Sequence, residues 1–236
     1  MITEKHFALF YSSFWDSLCP MTEEYVRTIN ATAERFAKEV DSAASNQKRG
    51  LINELAFLIA GESSRTKESP HALPVEIVEA SAAEALQHVS SLRAFNRNIV
   101  TVLDEDDTQE ARVLAGRLLY FLQTVFVLPF EFQPRFTGCG VIEACTGDVF
   151  ANETLIEVKA GGRNYRSVDL RQMLTYCALN FASKERSIGS LCLVNPRRGV
   201  YFIRSLNEIC MAISGRSASV VLASIVDQLS EPYTRY

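Results

Sequence analysis

The sequence has few of the residues that build a metal site from nitrogen and sulfur ligands. Its 236 residues include three histidines and six cysteines, and no two cysteines form a Cys-x-x-Cys pair. Structural zinc is usually held by four Cys or His ligands that are grouped in such pairs. We therefore expect no structural zinc site. We expect reduced cysteines that pack as small hydrophobic side chains.

Long apolar runs are also missing. No run reaches the roughly 18–20 residues that a membrane-spanning helix needs, and the first residues, MITEKHFALF, lack the apolar segment and cleavage site of a secretory signal. A nucleotide-binding loop of the form G-x-x-x-x-G-K-[S/T] is not found either, so any use of ATP would need another subunit. These absences predict a soluble, cytoplasmic protein that does not contact a membrane.

The chain has no strong excess of positive charge. Its formal net charge is −4, although residues 136–236 carry 11 basic and 9 acidic side chains whereas residues 1–135 carry 13 and 19. Tight unassisted binding to nucleic acid depends on clustered Lys and Arg side chains. If the chain binds nucleic acid, we expect the C-terminal part to do so, with help from a second copy of the chain or from a partner protein.

Residues 1–135 are expected to be mostly helical. Apolar side chains recur three and four positions apart over 22–40, over about 47–61 and over about 108–128. This spacing is typical of helices with one buried face. The segment 108–128 is apolar on nearly all sides, which predicts a central position.

Residues 136–236 have a different character. Glycines separate three short β-like runs, which are GVIEA at 140–144, GDVFA at 147–151 and TLIEVKA at 154–160. A helix follows, and Ser167 is a suitable cap for it.

Two further strands, SLCLVNP and GVYFIRS, come after that helix. The turn between them contains Arg197 and Arg198, and we expect it to be a polar turn. A strand–helix–strand crossover implies a mixed sheet covered by helices on both faces. The predicted fold class is therefore α/β (α+β), with 136–236 as the core and 1–135 as a helical region that adds the first core helix and a helical insertion.

Charged residues stand in the second and third of these runs, where buried strands are expected. Because side chains alternate along a strand, Glu157 and Lys159 share one face, and the opposite face of 154–160 is wholly apolar. A tight turn at Asn152-Glu153 would place Asp148 opposite Glu157. Directly opposed residues have Cβ atoms about 4.5–5.5 Å apart.

Two carboxylates at that distance repel each other unless a proton or a cation lies between them. Magnesium typically binds one or two carboxylates together with water and phosphate oxygens. We therefore expect Asp148 and Glu157 to bind Mg²⁺, with the backbone carbonyl of Val158 as a further ligand and Mn²⁺ as a substitute ion. Lys159 would orient a water molecule and help to deprotonate it, or neutralise the charge on a phosphate in the transition state.

Gly147-Asp148, followed after eight residues by Glu157-Val158-Lys159, resembles the PD-(D/E)xK signature of the restriction-endonuclease-like nuclease superfamily, with Gly in place of Pro. The resemblance covers about half of the chain, roughly 47–61 and 136–205. It implies a core of helix, three strands, helix and strand, with the sheet flanked by helices. It also implies Mg²⁺-dependent hydrolysis of phosphodiester bonds, most often in DNA. Members of this size with extra helices are often restriction, anti-phage defence or repair nucleases, and we favour defence.

The helix after the lysine carries Gln172 and Tyr176 four positions apart, on one face. This pair is similar to the Q-x-x-x-Y helix of RecB-like members, which supports the active site and contacts the scissile strand. The resemblance further implies a glutamate from the first core helix, for which Glu54 is the candidate. Glu143, in the first β-like run, is a rival for the same role.

Three arginines near the motif are candidates for contacts with phosphate, because the guanidinium matches phosphate geometry. They are Arg163, Arg166 and Arg171. Solvation at the surface is the competing interpretation for each. The charged residues of the hairpin are also compatible with a solvated surface hairpin, with a non-catalytic adaptor that keeps the fold, or with a nuclease that acts on RNA.

Overall fold

The computed structural model describes residues 1–42, 44–92 and 102–231, so residues 93–101 of the predicted helical insertion lie outside the described part of the chain. The helices in these ranges are α1 (Glu4–Phe10), α2 (Ser12–Leu18), α3 (Thr22–Thr32), α4 (Asn46–Thr66), α5 (Val75–Leu92), α6 (Glu105–Val125), α7 (Ser167–Ser183), α8 (Leu206–Ser214) and α9 (Ala218–Ser230). The strands are β1 (Glu34–Arg35), β2 (Glu131–Phe132), β3 (Arg135–Phe136), β4 (Cys145–Thr146), β5 (Val149–Ala151), β6 (Thr154–Val158), β7 (Ser190–Asn195) and β8 (Val200–Ser205).

Six of these strands form a mixed sheet in the order β1-β8-β7-β6-β5-β2. Strands β6 and β7 are parallel and are joined through α7, whereas the other neighbours are antiparallel. Strands β3 and β4 form a separate two-stranded sheet. The crossover and the mixed sheet are as predicted.

Helices cover both faces of the large sheet, because alternate strand residues enter two different cores. Leu155 packs with residues of α1, α2, α7, α8 and α9, and Ile156 packs with residues of α4, α5 and α6. Strand β7 divides in the same way, with Leu193 in the first core and Val194 in the second. Burial of each such side chain contributes about 1.5–3 kcal/mol.

The helix predicted over 22–40 is wrong beyond Thr32. Ala33 adopts an extended conformation, and Glu34–Arg35 then pairs with β8 at the sheet edge. Val26 and Ile29 lie in one core, whereas Phe36 and Val40 pack against the other. The apolar positions of this segment therefore do not form one stripe, because the chain passes from one face of the sheet to the other.

The first strand predicted for the C-terminal part is also wrong. Residues 140–144 form only isolated bridges through Ile142, and β2 is the edge strand that pairs with β5. Gly140 has a φ of +56°, and a Cβ there would lie 1.8 Å from the carbonyl oxygen of Leu229, so a turn packed against α9 replaces the strand. Since β1 and β2 both precede residue 136, the sheet draws strands from both predicted regions.

The helical region otherwise follows the periodicity of the sequence. The first core helix, α4, includes 47–61 but continues past Gly61 to Thr66, where Lys67 adopts the left-handed conformation that ends it. Helix α6 packs on α4 and is capped by Asp104. Within the described ranges no single helix is both long and apolar enough to cross a membrane, and α8 and α9 would reach that length and composition only as a pair bent by 74°.

Candidate functional site

A cavity of about 450 Å³ lies where the β5–β6 hairpin meets α1, α4, α5 and α7. Seven of the residues predicted to form a site line it, namely Glu54, Asp148, Glu157, Val158, Lys159, Gln172 and Tyr176. Glu157 and Val158 lie in β6, Asp148 directly precedes β5, Lys159 directly follows β6, and the other three come from α4 and α7, so the fold assembles them from distant parts of the sequence.

The hairpin has the predicted register. Val149 pairs with Ile156, and the turn residues Asn152 and Glu153 both have positive φ values, of 46° and 58°. Such a two-residue turn fits the right-handed twist of the paired strands. The next positions outward, Asp148 and Glu157, therefore face each other at the open end of the hairpin.

The two carboxylates have different partners. Oδ2 of Asp148 accepts a 2.7 Å hydrogen bond from the backbone N–H of Val158. Oε1 of Glu157 accepts from Lys159, and its Oε2 has no hydrogen-bond partner among the described residues although the residue is only 2% exposed. Burial, and then the charge of Glu157, raise the pKa of Asp148 to about 7. When both carboxylates are ionised, the neighbouring groups of the protein therefore do not fully compensate their negative charge.

Lys159 is held between three groups. Its Nζ lies 2.6 Å from Oε1 of Glu157, 3.2 Å from Oε1 of Gln172 and 3.8 Å from Asp169. Burial alone would lower the pKa of Lys159, but the charges of Glu157, Asp148 and Asp169 outweigh burial and raise it. The side chain is thus a cation that donates hydrogen bonds, and it is poorly suited to accept a proton.

Gln172 and Tyr176 lie on the same face of α7, as the four-residue spacing predicts. Nε2 of Gln172 donates to the hydroxyl of Tyr176 at 2.9 Å. The Tyr176 ring is 2% exposed and stacks on Phe136, with 5.2 Å between the ring centroids. Tyr176, which was predicted as a contact to nucleic acid, is thus a buried residue of the cavity wall.

Glu4 is a residue of this cavity that the sequence did not indicate. It is 8% exposed, and its Oε1 accepts hydrogen bonds from Nε2 of Gln172 at 3.3 Å and from the Tyr176 hydroxyl at 3.2 Å. Nothing in the local pattern of 1–10 distinguishes Glu4 from a solvated first-turn glutamate. Only the packing of α1 on α7 brings it to the site.

The two candidates for a further acid differ in position. Glu54 lines the cavity, where its Oε1 lies 2.6 Å from Nδ1 of His88 on α5. Glu143 is exposed and is not among the residues that line the cavity. The structure therefore favours Glu54 over Glu143.

The three arginines predicted to bind phosphate do not line the cavity. The guanidinium of Arg163 forms two 2.7 Å hydrogen bonds with Asp169, next to the site. Arg171 lies on a different face of α7, where it donates a hydrogen bond to Asp16 of α2. Arg166 is exposed. The guanidinium of Arg163 is linked to Lys159 through Asp169, which lies 3.8 Å from the lysine ammonium.

Residues 196–199 form the predicted turn, but the side chain of Arg197 is buried and does not face solvent. The residue is 2% exposed, and its guanidinium lies 2.7 Å from Oε1 of Glu110 on α6. It also donates to Oδ1 of Asn53 on α4 at 2.8 Å and to the carbonyl of Ala160 at 2.9 Å. Arg197 thereby links Ala160, the residue after Lys159, to helices α4 and α6.

Ser167 is likewise not the cap of α7. It is the first helical residue, and its hydroxyl donates to Glu23 of α3. The N-terminal end of α7 is stabilised by Asp169, whose carboxylate accepts from the backbone N–H of Arg166 at 2.9 Å. This bond fixes the same Asp169 that lies beside Lys159.

Gly147 takes the position of the proline in the motif, and the surroundings explain the difference. Its N–H donates to the carbonyl of Pro134 at 2.9 Å, a bond that proline cannot form. A Cβ at this position would lie 3.2 Å from Phe136 and 3.3 Å from Leu155. Glycine therefore lets the backbone between β4 and β5 approach these side chains closely.

The donor set fits a hard divalent cation better than zinc. No group of three or more His, Cys, Asp or Glu side chains is placed to hold a metal ion in the part of the chain that the structure describes. Two carboxylates suffice for Mg²⁺, which keeps several water ligands. The buried, unpartnered Oε2 of Glu157 is an acceptor that such an ion would satisfy. Cys145 also lines the cavity, but burial and then the charge of Glu4 raise its pKa to about 12, so it stays a neutral thiol.

Comparison with protein-family models, with curated proteins and with solved structures gives no match for this chain. The geometry of the cavity and the spacing of its residues are therefore the basis for inferring a function.

Proposed function

We propose that this chain is a metal-dependent nuclease that hydrolyses phosphodiester bonds in DNA. The observation that carries the proposal is the meeting of Asp148, Glu157 and Lys159 in one cavity, with the lysine ammonium 2.6 Å from the glutamate. A solvated hairpin would leave these groups exposed, whereas Glu157 is almost fully buried. Burial of an incompletely partnered carboxylate is costly, and such costs are concentrated at functional sites.

The order of elements supports the same proposal. The PD-(D/E)xK resemblance implies a helix, three strands, a helix and a strand. After α4 and the inserted helices α5 and α6, the next strands of the large sheet along the chain are β2, β5 and β6. Helix α7 and strand β7 then follow. We extend the proposal to the restriction-endonuclease-like fold on this basis.

Asp148 and Glu157 would hold Mg²⁺ or Mn²⁺, together with the carbonyl of Val158. When bound, the ion supplies Lewis-acid activation of water and of the phosphate oxygens. Asp148 and Glu157 contribute the negative charge that attracts the ion. The bond from the Val158 N–H keeps the Asp148 carboxylate turned toward Glu157.

Lys159 would act directly on the reacting atoms. Its ammonium has three protons, two of which are directed at Glu157 and Gln172. The third can form a hydrogen bond to the attacking water or to a phosphate oxygen that gains charge in the transition state. Because its pKa is raised, Lys159 provides positive charge throughout the neutral pH range.

A second copy of the chain, or a partner protein, would bring DNA to the site. The chain is acidic overall, and the cavity wall carries Glu4 and Glu54 in addition to the proposed metal ligands. Phosphate contacts account for much of the affinity of proteins for nucleic acids. We place the activity in anti-phage defence on the strength of the family resemblance.

The test is a cleavage assay with purified protein and Mg²⁺, Mn²⁺ or a chelator. Plasmid, linear duplex DNA, single-stranded DNA and RNA are the substrates. We expect DNA cleavage that requires the divalent ion and that falls at least about 100-fold in Lys159→Ala. Lys38→Ala, which removes an exposed lysine that does not line the cavity, is the matched control and should retain activity.

Other outcomes of the assay separate the alternatives. Cleavage of RNA alone would replace DNA by RNA as the substrate. Cleavage that survives in both Lys159→Ala and Asp148→Asn would exclude this cavity as its source. If the folded wild-type protein cleaves none of the substrates with either ion, the isolated chain is not a nuclease, and the adaptor hypothesis gains support.

A further inference from the structure

One carboxylate of the cavity wall belongs neither to the hairpin nor to the first core helix. Glu4 is the first residue of α1, which Thr3 caps by accepting a hydrogen bond from the backbone N–H of His6. The helix is fixed by Phe7 and Ala8, both fully buried against the core that contains α7. Glu4 is thus held in place by packing, and its burial requires hydrogen-bond partners.

Those partners are the two residues of the Q-x-x-x-Y pair. The hydroxyl of Tyr176 donates to Oε1 of Glu4 at 3.2 Å, and Nε2 of Gln172 donates to the same oxygen at 3.3 Å. Nε2 of Gln172 also donates to the Tyr176 oxygen at 2.9 Å. Burial, and then the charges of Glu157 and Glu4, raise the pKa of Tyr176, so its hydroxyl keeps the proton that it donates.

This triangle determines which way the Gln172 amide points. Both hydrogens of the NH₂ group are used, by Glu4 and by Tyr176, and the amide oxygen is left to accept from Lys159 at 3.2 Å. The reversed amide would direct its oxygen at the Glu4 carboxylate and its NH₂ group at the Lys159 ammonium. Both contacts would be repulsive, because a carboxylate only accepts and an ammonium only donates.

We propose that Glu4 is a positioning residue, which fixes the amide of Gln172 and thereby holds Lys159 in its working orientation. The contact itself rests on the geometry, and its effect on catalysis rests on the nuclease function proposed above. Glu4 acts through Gln172 and does not touch the substrate.

A positioning role needs a hydrogen-bond acceptor at residue 4 and does not need a negative charge. Glu4→Gln keeps an oxygen that can accept from Tyr176 and Gln172, whereas Glu4→Ala removes it. A metal ligand or a proton-transfer group would lose its function in both variants. The comparison of the two substitutions therefore distinguishes positioning from direct participation.

The kinetic experiment measures kcat and KM for both variants on the cleaved substrate. We expect kcat to fall about 10-fold in Glu4→Ala with KM unchanged, and to stay within about threefold of wild type in Glu4→Gln. Glu24→Ala removes an exposed first-turn glutamate from α3 and is the matched control, which should behave as wild type. Equal loss in Glu4→Gln and Glu4→Ala, or no loss in either, would overturn the proposal.

A double-mutant cycle with Gln172→Ala tests the route of the effect. If Glu4 acts through Gln172, adding Glu4→Ala to Gln172→Ala should produce no further loss of kcat. Multiplied losses in the double variant would mean that Glu4 acts by a different route, and would contradict the proposal. Unfolding curves for each variant exclude a general loss of the fold.

A readout without catalysis separates this inference from the proposed function. In protein labelled with ¹⁵N-glutamine, the Gln172 side-chain amide should give two shifted, slowly exchanging proton signals, identified by their loss in Gln172→Ala. Glu4→Ala should move them and speed their exchange, and Glu24→Ala should not. Unchanged signals in Glu4→Ala would overturn the contact, whereas absence of cleavage by wild type would count only against the nuclease function.

Discussion

The guanidinium of Arg163 forms two parallel hydrogen bonds of 2.7 Å with the carboxylate of Asp169. The same carboxylate lies 3.8 Å from the ammonium of Lys159 and accepts the backbone N–H of Arg166. Burial would raise the pKa of Asp169, but the hydrogen bond from Arg163 and the charge of Lys159 outweigh it and lower the pKa. Asp169 therefore anchors the loop between β6 and α7 and adds to the field around the lysine.

Asp169→Asn should lower stability in a pH-dependent way. The folded-state pKa of Asp169 is depressed, so its contribution is complete above its unfolded pKa of about 3.9 and is lost as pH falls below that value. We expect Asp169→Asn to be about 2 kcal/mol less stable than wild type above pH 5. This loss is smaller than that for a fully buried ion pair, because Arg163 is partly exposed and water screens its attraction to Asp169. The difference should shrink below about pH 4.

Urea unfolding between pH 3 and 7 measures this difference. Asp227→Asn changes an exposed aspartate of α9 and should leave a small, constant difference from wild type. A stability difference for Asp169→Asn that does not change with pH would contradict the assignment of the ion pair.

Arg197→Ala should be among the most destabilising substitutions in the chain. Removing the guanidinium leaves the largely buried Glu110 side chain without its cation, and it leaves the carbonyl of Ala160 and Oδ1 of Asn53 without their donor. Breaking a buried ion pair from one side costs about 3–5 kcal/mol. Arg198→Ala, one position along the same turn, should stay within about 0.5 kcal/mol of wild type. Equal effects of the two substitutions in chemical unfolding would show that Arg197 has no special role.

Gly147→Pro introduces the proline of the PD-(D/E)xK signature that the sequence resembles, and it should nevertheless destabilise the protein. It removes the hydrogen bond to Pro134 and introduces atoms against Phe136 and Leu155. The expected loss is about 2–3 kcal/mol, from the unpaired carbonyl and the overpacking. Gly147→Ala keeps the N–H and should cost about 1 kcal/mol. A thermal unfolding midpoint for Gly147→Pro at or above that of wild type would refute this explanation of the glycine.

The hairpin could be predicted from the sequence because its determinants are local. Side chains alternate along β6, and a two-residue turn at Asn152 fixes which residues oppose each other. These two rules place Asp148, Glu157 and Lys159 together without knowledge of the rest of the fold. The spacing of Gln172 and Tyr176 is local in the same sense.

The remaining site residues depend on contacts that no local pattern encodes. Glu4 and Gln172 are 168 positions apart, and Arg197 and Asn53 are 144 apart. Solvated and buried charges look alike in a sequence, because only tertiary packing decides which of them loses water. The helix predicted over 22–40 was wrong in its second half for a related reason. Apolar residues spaced three and four positions apart do not reveal that the two halves of the segment pack in different cores.

The most direct test of the proposed metal site is an anomalous difference map from crystals soaked in Mn²⁺. We expect one strong peak within bonding distance of the carboxylates of Asp148 and Glu157, and loss of that peak in Asp148→Asn crystals soaked in the same way. A wild-type map without a peak at this pair, at a Mn²⁺ concentration that supports cleavage, would contradict the proposed metal site.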